Sequence, residues 1–163
     1  MDLFRLIETN SFSSVWFWIL TAVAWSSASH WILGVPSDLV QRARNEGGEV
    51  QDRVQQLLRI NIARIKNIQK TAGLAMSTLV SFFLTGCLLL GFVYRIEFFQ
   101  AVFLLTFPMV FVGWFSLRTA RKIDAEMPEG EELYKIFRRL RLTIQFIGLF
   151  SITITSMWAC FTS

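Results

Sequence analysis

Four stretches of the chain carry no Asp, Glu, Lys or Arg: residues 9–37, 71–94, 98–117 and 142–163. Each reaches the roughly 20 helical residues that cross the hydrocarbon core of a bilayer. Between them, short apolar repeats alternate with charge. Pro36 stops the first stretch, and Ser37 or Asp38 is placed to cap a short helix running to about Asn45, before Gly47-Gly48 breaks it. From Glu49 onward, Val50, Val54, Leu57, Ile65, Ile68 and Ala72 share one face of a helical wheel, with Arg59, Lys66 and Lys70 opposite. No breaker separates this segment from the second apolar stretch. The pattern therefore predicts one helix over about 49–94, roughly 70 Å long.

Tyr94-Arg95-Ile96-Glu97 reads as a tight hairpin, after which the third helix continues past Arg118 to about Glu126. Pro128 suits the first turn of the next helix, Glu129, Glu131 and Glu132 suit its positive N-terminal end, and Leu133, Ile136, Phe137 and Leu140 form an apolar face leading into the last stretch. The expected fold is an all-α integral membrane protein, with four transmembrane helices in an up-down bundle. The spans lie at about 13–35, 71–94, 98–117 and 142–162, with helical extensions at about 38–70 and 118–141. Leu3, Phe4, Leu6 and Ile7 read as a short interfacial segment before the first span. A cleaved leader ending near Ala22-Val23-Ala24 is the competing reading. Asp2 and Glu8 offset Arg5 ahead of it, and the apolar run continues to Val35, so a true span is expected.

Charge orients the bundle. Arg42, Arg44, Arg53, Arg59, Arg64, Lys66 and Lys70 lie between spans one and two, and Arg118, Arg121, Lys122, Lys135, Arg138, Arg139 and Arg141 between spans three and four. The other side has only Arg5 and Arg95. This asymmetry places both long connections in the cytoplasm and both termini outside. Of the 163 residues 53% are apolar and 17% charged, against about 25% charged in a soluble domain. That balance excludes a soluble enzyme, a nucleic-acid binder and a disulfide scaffold. Cys87 and Cys160 fall within spans and read as apolar fillers.

The candidate chemistry is sparse. His30, the single histidine, shares a face with Ser26, and reads either as a weak cofactor ligand or as a packing residue bonded to serine or a neighbouring helix. Gly73, Ser77, Ser81 and Thr85 recur every four positions, and Gly148, Ser151, Thr155 and Ala159 form a similar row at steps of three and four. Such rows let helices approach closely, within the bundle or between subunits. Asn61 falls within the apolar arc of the long helix, where it either sets a register or is simply exposed. Arg138, Arg139 and Arg141 lie where anionic lipid headgroups attract them. Pro108 is expected to kink the third span, with Thr106 satisfying a freed backbone group. Trp16, Trp18 and Trp31 suit interfacial belts, while Trp25, Trp114, Phe82 and Phe83 are expected to face lipid, a pigment or another subunit. No metal or resident cofactor is predicted; aromatic spans leave room for a bound lipid or quinone.

The segments Trp25-Ser26-Ser27-Ala28-Ser29-His30-Trp31-Ile32-Leu33-Gly34-Val35-Pro36, Asp38-Leu39-Val40-Gln41-Arg42-Ala43-Arg44, Glu97-Phe98-Phe99-Gln100-Ala101-Val102-Phe103 and Ser116-Leu117-Arg118-Thr119-Ala120-Arg121 resemble a family of small, uncharacterised alphaproteobacterial inner-membrane proteins. Some of its members carry an automated label as a component of the sulfur-mobilisation (Suf) iron–sulfur assembly complex. A membrane anchor for an assembly machine is compatible with the resemblance, which brings no catalytic residues. The two cysteines do not make the four-thiolate set a cluster usually needs. Spans without Asp, Glu, Lys or Arg argue against transport by a monomer. The expected function is a non-catalytic accessory subunit or scaffold of a larger inner-membrane bioenergetic or assembly complex. The alternative is a homo-oligomeric channel or transporter subunit in which Ser26, His30, Ser77, Ser81 and Thr85 line a shared path.

Overall fold

The computed structural model describes Phe12 and residues 14–162. The elements, in order, are helix α1 (Val15–His30), strands β1 (Trp31–Ile32) and β2 (Val35–Pro36), helices α2 (Ser37–Glu46) and α3 (Gly48–Leu88), a π-helical turn (Leu89–Val93), and helices α4 (Glu97–Glu126) and α5 (Glu131–Thr162). Three helices are long and apolar enough to cross a membrane: Gly48–Val93, Glu97–Glu126 and Glu131–Phe161. The long second helix thus runs unbroken as its sequence predicts, closing on a π turn. The proposed interfacial segment with Leu3, Phe4, Leu6 and Ile7 lies outside the described residues.

The first apolar stretch is shorter as a helix than its composition suggests. α1 ends at His30, and 16 residues rise about 24 Å against a hydrocarbon core of about 30 Å. The remainder of the expected 13–35 span forms an antiparallel hairpin pairing Trp31 with Pro36 and Ile32 with Val35. Its turn residues, Leu33 at φ 53° and Gly34 at φ 75°, are both left-handed, as the tight I′ hairpin turn requires. Pro36 then stands at the N-cap of α2, and neither Ser37 nor Asp38 supplies a side-chain cap. At the other connection Met127 is left-handed and α5 begins only at Glu131, so Pro128 belongs to the loop and not to the first turn.

Close packing concentrates at the charged end. Val54, Leu58 and Ile62 of α3, Ala43 of α2, Ala120 and Ile123 of α4, and Leu133, Phe137, Leu140 and Ile144 of α5 form one core with the hairpin's Ile32, Leu33 and Val35. The buried row of α3 is therefore rotated from the expected arc: Ile68 is exposed, while Leu58 and Ile62 are inside. Lys66, placed on the polar face by the wheel, reaches across to pair with Asp124 of α4. Arg44 pairs with Glu131 at 3.6 Å, which ties α2 to α5. These contacts gather segments 37–70 and 118–141 into a single helical base. Beyond it the apolar halves of α3, α4 and α5 expose most of their surface.

That division has a physical origin. In water, burying one Leu, Ile or Phe side chain stabilises by about 1.5–3 kcal/mol, so the base collapses on its apolar row. Lipid tails are as apolar as leucine, and helices among them must be held by close approach and polar contacts. Two such close approaches occur, one between the π turn and α4 and one between α5 and α1. A Cβ on Gly91, in the π turn, would stand 2.8 Å from the Gln100 backbone nitrogen, so only glycine permits that approach. On α5, Gly148 packs directly against the Trp25 ring of α1. Trp25 is thereby buried, contrary to the expected outward position.

Candidate functional site

At the junction of α1, the hairpin and the base, His30 Nδ1 lies 3.3 Å from the Ser37 hydroxyl. Its serine partner thus comes from the start of α2, and not from Ser26, which is exposed one turn back on α1. The His30 and Trp31 rings meet edge to face at 6.1 Å. Asn61 Nδ2 donates to the Gly34 carbonyl at 3.2 Å. Asparagine on the long helix therefore fastens the hairpin turn to the base. That is neither of the roles its place in the apolar arc suggests.

The two rows of small residues have different fates. On α5, Gly148, Ser151 and Thr155 are buried against the chain's own helices. On α3, Ser77, Ser81 and Thr85 are exposed and Gly73 is half-buried, so packing within the bundle does not account for that row. Thr85 donates back to the Ser81 carbonyl at 2.8 Å. Leu74, Leu79 and Phe82 flank the row and are exposed as well, Leu74 at 85% and Phe82 at 82%. Ser26 and His30 lie on α1 near the hairpin, and Ser77, Ser81 and Thr85 lie on α3. Trp114 is exposed beneath the Arg118 guanidinium, 5.6 Å from its ring centre. Cys87 is buried and Cys160 is exposed.

Two polar arrangements escaped the sequence. Proline at 108 leaves the Leu104 carbonyl without its helical donor, and α4 continues unbroken through it. The Ser151 hydroxyl of α5 points at that carbonyl from 3.4 Å, taking the role expected of Thr106. At the far end from the base, buried Gln100 donates to the Gly91 carbonyl at 2.8 Å and accepts from Trp158 Nε1 at 3.0 Å. This answers the hydrogen bonds displaced by the π turn and links α3, α4 and α5. The available signal was Gln100 itself, a polar residue in a charge-free stretch.

A cleft of about 350 Å³ opens between α2 and α5, walled by the hairpin at Ile32 and by Ser37. Arg44, Lys135, Arg138 and Arg141 line it, whereas Arg139 does not. The lipid-binding trio is thus divided: Arg138 and Arg141 share the cleft with two cations from outside the trio, and Arg139 is exposed elsewhere on α5. The one carboxylate in the lining, Glu131, is engaged by Arg44. Tyr134 Oη is buried in the same wall, with no hydrogen-bond partner among the described residues. Burial, and then Glu131, push this phenol above its usual range, so it stays a hydrogen-bond donor at neutral pH. A second cavity of about 670 Å³ between α4 and α5 is almost wholly apolar, lined by Phe103, Phe107, Phe111, Phe146 and Phe150 around Pro108. No family model, curated protein or solved structure matches this chain.

Proposed function

We propose that the protein is a non-catalytic membrane scaffold or accessory subunit, with four spans and a cytoplasmic helical base, that holds a partner against the outward face of α3. The observation that carries this reading is the contrast between the two small-residue rows. One is consumed by packing inside the chain; the other, Gly73, Ser77, Ser81 and Thr85, faces outward on the longest helix. Small residues let a second helix approach to backbone contact, the geometry on which association in lipid depends. The fourth span is α1. The Phe12 amide donates to Glu97 Oε1 at the hairpin end of α4, and His30 meets Ser37 at the base. The segment therefore runs the length of the bundle although its regular helix is short. An inner-membrane partner complex agrees with the family resemblance.

The test is gentle extraction of the tagged full-length protein from native membranes, followed by native mass spectrometry. A stoichiometric companion protein is expected, and Ser77→Leu/Ser81→Leu should shed at least three quarters of it while leaving the yield of folded protein unchanged. Recovery of the chain alone as a monomer overturns the proposal. A pure multimer would favour the self-associated channel reading instead.

A further inference from the structure

We infer that the cleft between α2 and α5 is a binding site for a phosphate-bearing anion, the headgroup of an anionic membrane lipid or a soluble phosphate. Four cations, Arg44, Lys135, Arg138 and Arg141, converge on about 350 Å³ of space with Glu131 as the one opposing charge. Like charges drawn this close repel one another unless an anion lies between them. The arginines present planar forks suited to phosphate oxygens, and Lys135 adds a mobile point charge. Tyr134 supplies a buried hydroxyl that has no hydrogen-bond partner among the described residues. A headgroup oxygen would satisfy it, as buried polar groups are nearly always satisfied.

Size and place narrow the class. The volume sits at the small end of ligand sites, fit for one phosphorylated headgroup and too small for a folded segment of protein. The site lies at the boundary between the charged base and the apolar half of α5. Arg141 is the last charge before the run beginning at Leu142, and exposed Trp31 adjoins Ile32 on the cleft wall. Indole rings favour the headgroup level, which sets the cleft at that depth.

Arg139 supplies a matched control, with the same charge one residue along α5 but outside the cleft. A cation attracted to an anionic surface is worth about 1 kcal/mol, or about fivefold in affinity. Diffuse attraction would make Arg138, Arg139 and Arg141 equivalent. A built site separates them.

The full-length protein in nanodiscs of zwitterionic phosphatidylcholine would be titrated with phosphatidylglycerol in one arm and inorganic phosphate in the other, following bound lipid by native mass spectrometry and phosphate by ³¹P NMR. Saturable binding is expected in at least one arm. Binding of phosphatidylglycerol alone identifies the lipid source, and binding of phosphate in the low millimolar range the soluble one. Arg138→Gln and Arg141→Gln should each weaken it at least tenfold, Tyr134→Phe about threefold, and Arg139→Gln less than twofold, with thermal unfolding confirming that each variant is folded. Equal losses at Arg138 and Arg139, or no saturable binding in either arm, would overturn the assignment.

Discussion

Ser151 and Pro108 form a pair whose energetics can be separated. Proline removes the donor that would have served Leu104, and the Ser151 hydroxyl stands in for it from the neighbouring helix. At 3.4 Å the contact is long, and hydrogen bonds between membrane helices average about 0.6 kcal/mol. Ser151→Ala alone should therefore destabilise by about 0.5–1 kcal/mol, read by unfolding in detergent. In a Pro108→Ala background the helix satisfies its own carbonyl, and the same serine change should cost less than half as much. Equal costs in the two backgrounds would show that Ser151 packs without bonding. The pair also shows where reading a sequence stops. That proline needs compensation is plain from its place in the charge-free stretch 98–117; that the donor is Ser151, 47 residues from Leu104, depends on how two helices meet.

The hairpin between α1 and α2 makes the same point for a larger piece of chain. Runs without charge, Gly47-Gly48 and the left-handed corner at Arg95 mark the helix limits well, because length, breakers and desolvation are local properties. Trp31–Pro36 is as apolar as the helix before it, so nothing in its hydropathy announces that it leaves the helix. The phase of α3 was likewise set by its neighbours: Leu58 and Ile62 face the core because α2, α4 and α5 all converge there, which no single helical wheel records. The candidate site was legible in one half only, since Arg138 and Arg141 stand in an obvious basic run while Arg44 joins them across about 95 residues of sequence. A direct test of the hairpin uses its fastening to α3. A Cβ on Gly34 would lie 2.7 Å from Asn61 Nδ2, at a φ that other residues adopt with strain. Gly34→Ala is expected to cost about 1–3 kcal/mol, and Asn61→Ala about 0.5–1.5 kcal/mol by loss of one hydrogen bond. Both act through one contact, so the double variant should fall short of the sum. Full additivity in thermal unfolding, with no change in amide exchange across Trp31–Pro36, would mean that Asn61 does not hold the turn.

The molecule as a whole divides into a charged base, with a core of its own, and a set of apolar helices that expose most of their surface. Every basic residue of both long connections falls in or beside the base, and Arg95, in the turn between α3 and α4, is the only Lys or Arg at the opposite end among the described residues. Basic residues in short connections, close to the ends of spans, are retained on the cytoplasmic side during insertion, and acidic residues count for little in that bias. Lys66, Lys70, Arg118, Arg121 and Lys122 all lie within about a dozen residues of an apolar stretch, so the proposed orientation rests on no single residue. In the proposed orientation the basic cleft would lie against the leaflet facing the cytoplasm, where anionic headgroups attract Lys and Arg. In a Cys87→Ala/Cys160→Ser background, single cysteines at Glu46 and Glu129 should react with an impermeant maleimide in inside-out vesicles and stay unlabelled in right-side-out ones. A cysteine at exposed Tyr94 should show the opposite. Reversed labelling would place the base in the periplasm and remove the cleft from that leaflet. Labelling of all three from one side would mean that α3 does not cross the bilayer, because Glu46 and Tyr94 lie at opposite ends of the continuous helix Gly48–Val93.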